Sequence, residues 1–259
     1  MMLLPKPVQS LLPVCLGALA MCPVVVPAQL ILSHVGSADP VTEGWTLTTP
    51  TAGTVGAVTN DLGAGIAAWN VTDSSTANGY FYYHIPSTAE IAQGFAQGWT
   101  MTVTMRLTGV APSNGFIGFG YEDGVNAWNV YPEQNAANDF VVTVSGGPTI
   151  VLTGQGNAYH TVGWVYNAGT ATASLFVDGV ERISNYGGSS YTGIEVFFGG
   201  GGSTSIGSAN YSAVQFTAVP EPSVVSLLAV GLLALAGGVS RRRPTPRSPR
   251  GFPAGAGER

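Results

Sequence analysis

From Thr100 to Leu107 apolar and polar residues alternate without a break. Met101, Val103, Met105 and Leu107 fall on one face, and Thr100, Thr102, Thr104 and Arg106 on the other. A period of two is that of a half-buried strand. His160, Val162, Trp164 and Tyr166 alternate in the same way against Thr161, Gly163 and Val165. Further strands are predicted at Gly79–Ile85, Gly115–Tyr121, Ala127–Tyr131, Phe140–Ser145, Thr149–Leu152, Ala171–Val177, Gly193–Phe198 and Ser212–Ala218. Gly, Asn, Asp and Pro punctuate the gaps. Val177-Asp178-Gly179-Val180 predicts a hairpin, because Asp-Gly favours a type I′ turn. One short helix is expected over Thr88 to Phe95, where Ser87 and Glu90 have capping-box spacing. No long amphipathic helix, internal repeat or domain boundary interrupts Gln29 to Val219. The pattern predicts an all-β fold over residues 29–218, an antiparallel β-sandwich or jelly roll.

Composition agrees. The chain has 259 residues, of which 36 are glycine; only 9% are charged, against about 25% in an average domain. With 45% hydrophobic residues the body is not a disordered, charge-rich chain. Charge is uneven. Between Gln29 and Val219 the only basic residues are Arg106 and Arg182, against twelve acids, a formal charge of −10. Such a body repels nucleic acid. Both cysteines, Cys15 and Cys22, precede it. It therefore contains no disulfide, thiolate zinc site or cysteine nucleophile.

The two ends read as targeting segments. In residues 1–28 Lys6 is followed by the apolar run Leu11 to Val26, and Val26-Pro27-Ala28 places small residues where a signal peptidase reads, so cleavage is expected after Ala28. The alternatives are a first transmembrane helix, which Pro13, Pro23 and Pro27 disfavour, and a lipoprotein site at Cys22, where Met21 fits poorly. At the other end Pro220, Glu221 and Pro222 precede sixteen uncharged residues, 224–239, and then Arg241, Arg242 and Arg243. As a helix that run spans about 24 Å, slightly short of a bilayer core. The arginines would hold its far end in the cytoplasm. The order of Pro-Glu-Pro, apolar helix and arginine cluster over residues 219–243 resembles the PEP-CTERM sorting signal. The resemblance implies recognition by an exosortase, which cleaves near Pro-Glu-Pro and releases the body to the cell surface or extracellular matrix. Residues 244–259 depart from that pattern as a basic tail rich in Pro, Gly and Arg, expected to be disordered. An ordinary tail anchor is the plain alternative.

The body carries a second resemblance. Tyr159 to Tyr166, Thr170 to Ser174 and Leu175-Phe176-Val177-Asp178-Gly179, with Gly98-Trp99-Thr100 and Gly207 to Tyr211, resemble the concanavalin A-like, laminin-G-like jelly roll. The resemblance implies a fold whose enzymes often use paired carboxylates and whose laminin-G-like members sometimes bind calcium; its motifs mark the fold without choosing a ligand.

Candidate chemistry is sparse. A retaining glycosidase needs two carboxyls about 5–5.5 Å apart. The family's glucanase pattern Glu-x-Asp-x-x-Glu is absent, Glu122 and Asp123 are adjacent and point apart, and Glu133, Asp139 and Glu195 are isolated along the chain. A serine triad would need His34, His84 or His160 as its base, but no nucleophile elbow accompanies them. His160 shares a strand face with Val162 and Trp164 and reads as a packed histidine. Calcium is the possible cofactor, with Glu122, Asp123 and Asp139 as oxygen donors from loops, although no acidic loop of defined spacing exists. The alternative is solvated turn acids. Gly199 to Gly202 lacks the features of a phosphate loop and reads as a flexible turn. Tyr121, Trp128, Asn129 and Tyr131 mix aromatic rings with neutral hydrogen bonders, as sugar sites do, and Asn185, Tyr186 and Tyr191 form a similar group; core packing is the competing reading. Asn70-Val71-Thr72 and Asn210-Tyr211-Ser212 match glycosylation acceptors, which bacterial export would leave unused.

The expectation is a non-enzymatic exported module with a polysaccharide as possible partner. Signal peptidase and exosortase act on it during export, and the C-terminal helix is its temporary membrane contact. A polysaccharide hydrolase or lyase and a purely structural envelope component are the alternatives.

Overall fold

The structure is a computed structural model and describes residues 29–48, 53–74, 79–109, 117–200 and 206–218. The signal peptide 1–28, the sorting segment 219–243 with its helix 224–239, and the tail 244–259 lie outside the described residues. Among those described, no helix is long and apolar enough to cross a membrane.

The strands in chain order are β1 (Gln29–Val35), β2 (Thr46–Leu47), β3 (Gly53–Asp61), β4 (Ile66–Asp73), β5 (Tyr80–His84), β6 (Trp99–Leu107), β7 (Ile117–Asp123), β8 (Asn126–Ala127) and β9 (Val130–Gln134). They continue as β10 (Phe140–Val144), β11 (Thr149–Leu152), β12 (His160–Asn167), β13 (Thr172–Val177), β14 (Val180–Tyr186), β15 (Ser189–Ser190), β16 (Ile194–Gly200) and β17 (Gly207–Ala218). The one α-helix described, α1, is Thr88–Gln97 and closes the expected capping box between Ser87 and Glu90. Two antiparallel sheets face each other. The first runs β14-β13-β12-β6-β17-β4-β3, with β1 also on β17; the second runs β11-β10-β9-β7-β16-β5-β2, with β8 on β7 and β15 on β8.

The alternation read from the sequence becomes the core. Met101, Val103 and Met105 of β6 are fully buried, as are Val162 and Trp164 of β12. From the second sheet Phe119, Val130, Val142, Val196 and Phe198 meet them. Trp99 is central: it stacks on Tyr166 at 5.4 Å and meets Tyr121 and Trp128 edge-on at 4.9 and 5.2 Å. Each such pair contributes about 0.5–1.5 kcal/mol beyond its burial. The helix joins this cluster through Phe95, whose ring meets Tyr166 at 5.2 Å.

The hairpin at Asp178-Gly179 has positive φ at both residues, 52° and 76°, as a type I′ turn requires. Asp178 does more than turn the chain: its carboxylate bonds His160 Nδ1 at 2.7 Å and accepts from Thr161 N at 2.9 Å. β1, β3 and β4 went unpredicted. Among the described strands β3 pairs only with β4, and of its residues only Asp61 is buried, so it shows no clean alternation. The glycine run is corrected in part: Gly199 and Gly200 belong to β16, opposite Phe81 and Tyr80, while Gly201 and Gly202 lie outside the described residues.

Candidate functional site

A strand with its even side chains in the core presents its odd ones outside. On the second sheet the core takes Tyr82 from β5, Phe119 and Tyr121 from β7, Val130 from β9, and Val196 and Phe198 from β16. The outward positions are then Phe81, Glu122, Tyr131, Glu195 and Phe197. Glu195 and Glu122 are direct cross-strand partners in the β16–β7 register. Directly opposed residues on one face have Cβ atoms about 4.5–5.5 Å apart. The two acids, isolated along the chain, are therefore a pair in space, and the reading of Glu195 as isolated is corrected. Sequence separation hid the pairing; register created it.

The pair lies in a pocket of about 280 Å³ lined by Phe81, Glu122, Asn129, Tyr131, Ser145, Tyr191, Glu195 and Phe197. Phe81 and Phe197 contact at 5.8 Å, edge to face. Glu122 is only 3% exposed and Asn129 4%. The Asn129 amide Nδ2 donates to Glu122 Oε1 at 2.7 Å. Glu122 Oε2 and Asn129 Oδ1 are buried without a hydrogen-bond partner. Both lie against glycines: a Cβ on Gly193 would come within 2.1 Å of Glu122 Oε2, and one on Gly120 within 2.1 Å of Asn129 Oδ1. The missing side chains make room for the two polar groups.

Burial pushes the Glu122 carboxyl up to about 7; the Asn129 hydrogen bond opposes the rise and the neighbouring Glu195 adds to it. Burial also raises Glu195. Two carboxyls side by side in a site of low dielectric resist ionising together. Tyr191 is raised chiefly by the Glu122 charge, and Tyr131 chiefly by burial. Tyr191 also borders a second, open depression with Gly124, Val125, Ser190 and Thr192.

Of the residues singled out for ligand contact, the structure brings Asn129 and Tyr131 to the pocket. Tyr121 and Trp128 are each 1% exposed and belong to the core instead, which corrects their reading as ligand contacts. Both Trp128 and Asn129 lie in the link between β8 and β9: the Trp128 ring packs on Trp99 and Tyr121, whereas the Asn129 side chain reaches Glu122. Of the second aromatic group only Tyr191 arrives. Tyr186 stacks on Trp164 at 5.4 Å. Phe81, Ser145 and Phe197 also line the pocket and carry no signal of it in the sequence, although Phe197 stands at strand spacing from Glu195.

The three proposed calcium donors are not brought together. Asp123 Oδ1 accepts from Val125 N and Asn126 N at 2.7 and 2.6 Å, closing its turn. Asp139 accepts from Gly154 N at 2.8 Å and Asn135 Nδ2 at 2.9 Å in a different turn. Among the described residues no group of three His, Cys, Asp or Glu could hold a metal ion. The histidines are also apart. His34 and His160 are each no more than 1% exposed. His34 bonds Glu43 at 2.6 Å, and burial lowers its pKa against that partner. Both ring nitrogens of His160 are engaged, by Asp178 and by the Gln155 carbonyl at 2.9 Å.

Comparison with models of known protein families finds no match, and comparison with curated proteins finds none. Solved structures match by shape. A conserved carbohydrate esterase from the Shiga toxin-encoding bacteriophage phi24B aligns over 74% of this chain and 99% of its own, at TM-score 0.53 and 13% identity. The binding domain of botulinum neurotoxin DC, solved with rat synaptotagmin II, aligns over 78% of this chain at TM-score 0.45 and 12% identity. A botulinum neurotoxin type C structure, whose cell entry depends on interaction with two ganglioside molecules, aligns over 78% at TM-score 0.41 and 11% identity. This chain spans 51% of each of the two neurotoxin chains. At these identities the esterase likeness establishes the β-sandwich fold and nothing about chemistry.

Proposed function

We propose that this chain is an exported, exosortase-sorted, non-enzymatic module of laminin-G-like fold that binds saccharide in the pocket on its second sheet. One observation carries the binding reading: aromatic side chains line a pocket whose buried floor holds unpartnered acceptor oxygens. Saccharides complement such a surface. Their C–H faces stack on aromatic rings, and their hydroxyls donate to acceptors. The esterase with a similar fold acts on carbohydrate, which is compatible with this reading. Export rests on the Ala28 and Pro220-Glu221-Pro222 segments.

The test is retention of the purified chain on a panel of insoluble polysaccharides, with Tyr131→Ala and Tyr191→Ala beside the parent chain. Saturable retention that both variants weaken is expected. No retention on any polymer would count against the module and favour a structural envelope component. Deleting residues 220–222 should keep the body membrane-held; unchanged release would sink the sorting reading.

A second reading has its own observation. Glu122, held up to about 7, stands cross-strand from Glu195. A retaining glycosidase also works with two neighbouring carboxyls, and in this reading Glu122 is the acid and Glu195 the nucleophile. Its mark is reducing sugar released from the retained polymer and lost in both Glu122→Gln and Glu195→Gln.

A further inference from the structure

The saccharide reading leaves open which sugars fit, and the pocket's polarity addresses that. Its floor offers acceptors: Glu122 Oε2 and Asn129 Oδ1 are buried without partners, and the Asn129 amide Nδ2 donates to Glu122 Oε1. No Lys, Arg or His lines the pocket. The two basic residues of the body are elsewhere. Arg106 is paired with Asp61, and Arg182 stands on β14 at the edge of the first sheet. Among the described residues lining the pocket, no cation answers the Glu122–Glu195 pair. The walls are aromatic, and ring faces attract cations as well as C–H groups.

Resting on the saccharide reading, we propose that the pocket selects sugars bearing a free amine, seating the ammonium between Glu122 and Glu195 beside Tyr191. An ammonium brings three donors and one positive charge, which the floor lacks. A hydroxyl brings one donor and no charge. N-acetylation removes the charge, and a uronate adds one of the wrong sign. Charge-assisted bonds to a buried carboxylate are about twice as strong as neutral ones, so the amine should dominate selectivity.

Protonation gates the site. The groups facing Glu122 are Glu195 from β16, Asn129 from the link before β9, Tyr131 from β9, and Tyr191 from the segment before β16. Burial keeps Glu122 protonated below about 7. A ligand of fixed positive charge should therefore bind more tightly as pH rises through that value.

The experiment uses the full chain in mild detergent with EDTA present. Chitosan, chitin and cellulose share one backbone linkage and differ at one position: free amine, N-acetyl or hydroxyl. Chitosan is expected to be retained about tenfold more tightly than the other two. Glu122→Gln should bring chitosan to the level of cellulose, and Glu195→Gln serves if the first variant fails to fold. Glu181→Gln, an acid on β14, should leave retention unchanged. Trimethylated chitosan, whose charge does not titrate, should bind more tightly at about pH 8 than at about pH 5.5. Equal retention of the three polymers would overturn the amine selectivity and leave the saccharide site standing. Absence of retention on all three would overturn both. Loss of chitosan binding to the same degree in Glu181→Gln would overturn it as attraction to the acidic body at large. Binding that requires added calcium would overturn it in favour of a bridging metal.

Discussion

Asp61 and Glu122 are carboxylates buried on opposite outer faces of one sandwich, 6% and 3% exposed, yet they have opposite electrostatics. Asp61 is answered from every side. Arg106 Nε donates to it at 2.8 Å with Nη2 alongside, and Tyr159 and Asn210 each donate at 2.8 Å. Arg106 above all holds its pKa far below the usual carboxylate range. Glu122 has one donor, an acid opposite and an oxygen with no partner, and its pKa rises. A buried charge must be paired or neutralised. On the first face the chain pairs it internally. On the second it leaves the pairing to a proton or a ligand. A satisfied polar cluster is architecture, whereas an unsatisfied one beside a pocket is a candidate site.

The sharpest way to break this contrast is to unpair Asp61. Arg106→Leu leaves a buried carboxylate without its cation and should cost about 3–5 kcal/mol. For a domain of this size that lowers Tm by roughly 10 °C or more. Where the variant folds, its polysaccharide retention should match the parent's, because Arg106 is not at the pocket. Thermal scans followed by a binding isotherm check both parts. Retention lost from a folded variant would mean the two faces are coupled.

Glu122→Gln should act with the opposite sign. A carboxyl whose folded pKa, about 7, lies above its ordinary 4.5 contributes stability that is fully present below 4.5 and lost as pH rises through 7. The loss is on the order of 3 kcal/mol. Asp61, with its folded pKa depressed, contributes stability above its ordinary 3.8 that is lost as pH falls toward the folded value. The parent should thus weaken at both ends of the acid-to-neutral range. Glu122→Gln should flatten only the upper limb, and Asp61→Asn only the lower one. Denaturant melts at several pH values separate the limbs. An upper limb unchanged in Glu122→Gln would show that Glu122 is not held protonated by the fold.

The contrast also explains what the sequence disclosed. Alternation exposed β6 and β12 because one face of each is dry and the other wet. It foretold that Met101, Val103 and Trp164 face inward. On the second sheet both faces are rich in rings, so composition alone could not say which aromatic residue packs and which lines a pocket. Trp128 and Tyr131 looked equivalent, and only the folded chain put the first in the core and the second at the pocket. Glu195 was out of reach for another reason. Its partner is 73 residues away in the chain, and only the β16–β7 register joins them. Asn70 and Asn210 illustrate the same gap: two sequons far apart turn out to be register partners, bonded side chain to side chain at 2.8 Å.

Gly193→Ala tests how closely the pocket is built. The new Cβ would stand 2.1 Å from Glu122 Oε2 and 2.5 Å from the Tyr191 ring. Accommodating it should cost about 1–3 kcal/mol, as overpacking does, and displace Glu122 and Tyr191 from the floor. Retention should fall in a protein that still melts cooperatively. Unaltered binding would place the ligand away from Glu122.

The smallest expected effect comes from the first face, and its smallness is informative. That surface is a ladder of neutral hydroxyls. Thr100 bonds Thr217 at 2.6 Å, Thr104 bonds Thr161 at 3.0 Å, and Thr72 bonds Ser208 at 2.7 Å. Each pair satisfies itself at a half-wet surface, so removing one hydroxyl leaves a partner that water can serve. Thr217→Val should therefore cost no more than about 1 kcal/mol and leave polysaccharide retention untouched. A first-face threonine that did change retention would mean the ligand lies across the hydroxyl ladder. The unsatisfied floor around Glu122 would then be a strained packing site rather than a pocket awaiting a donor.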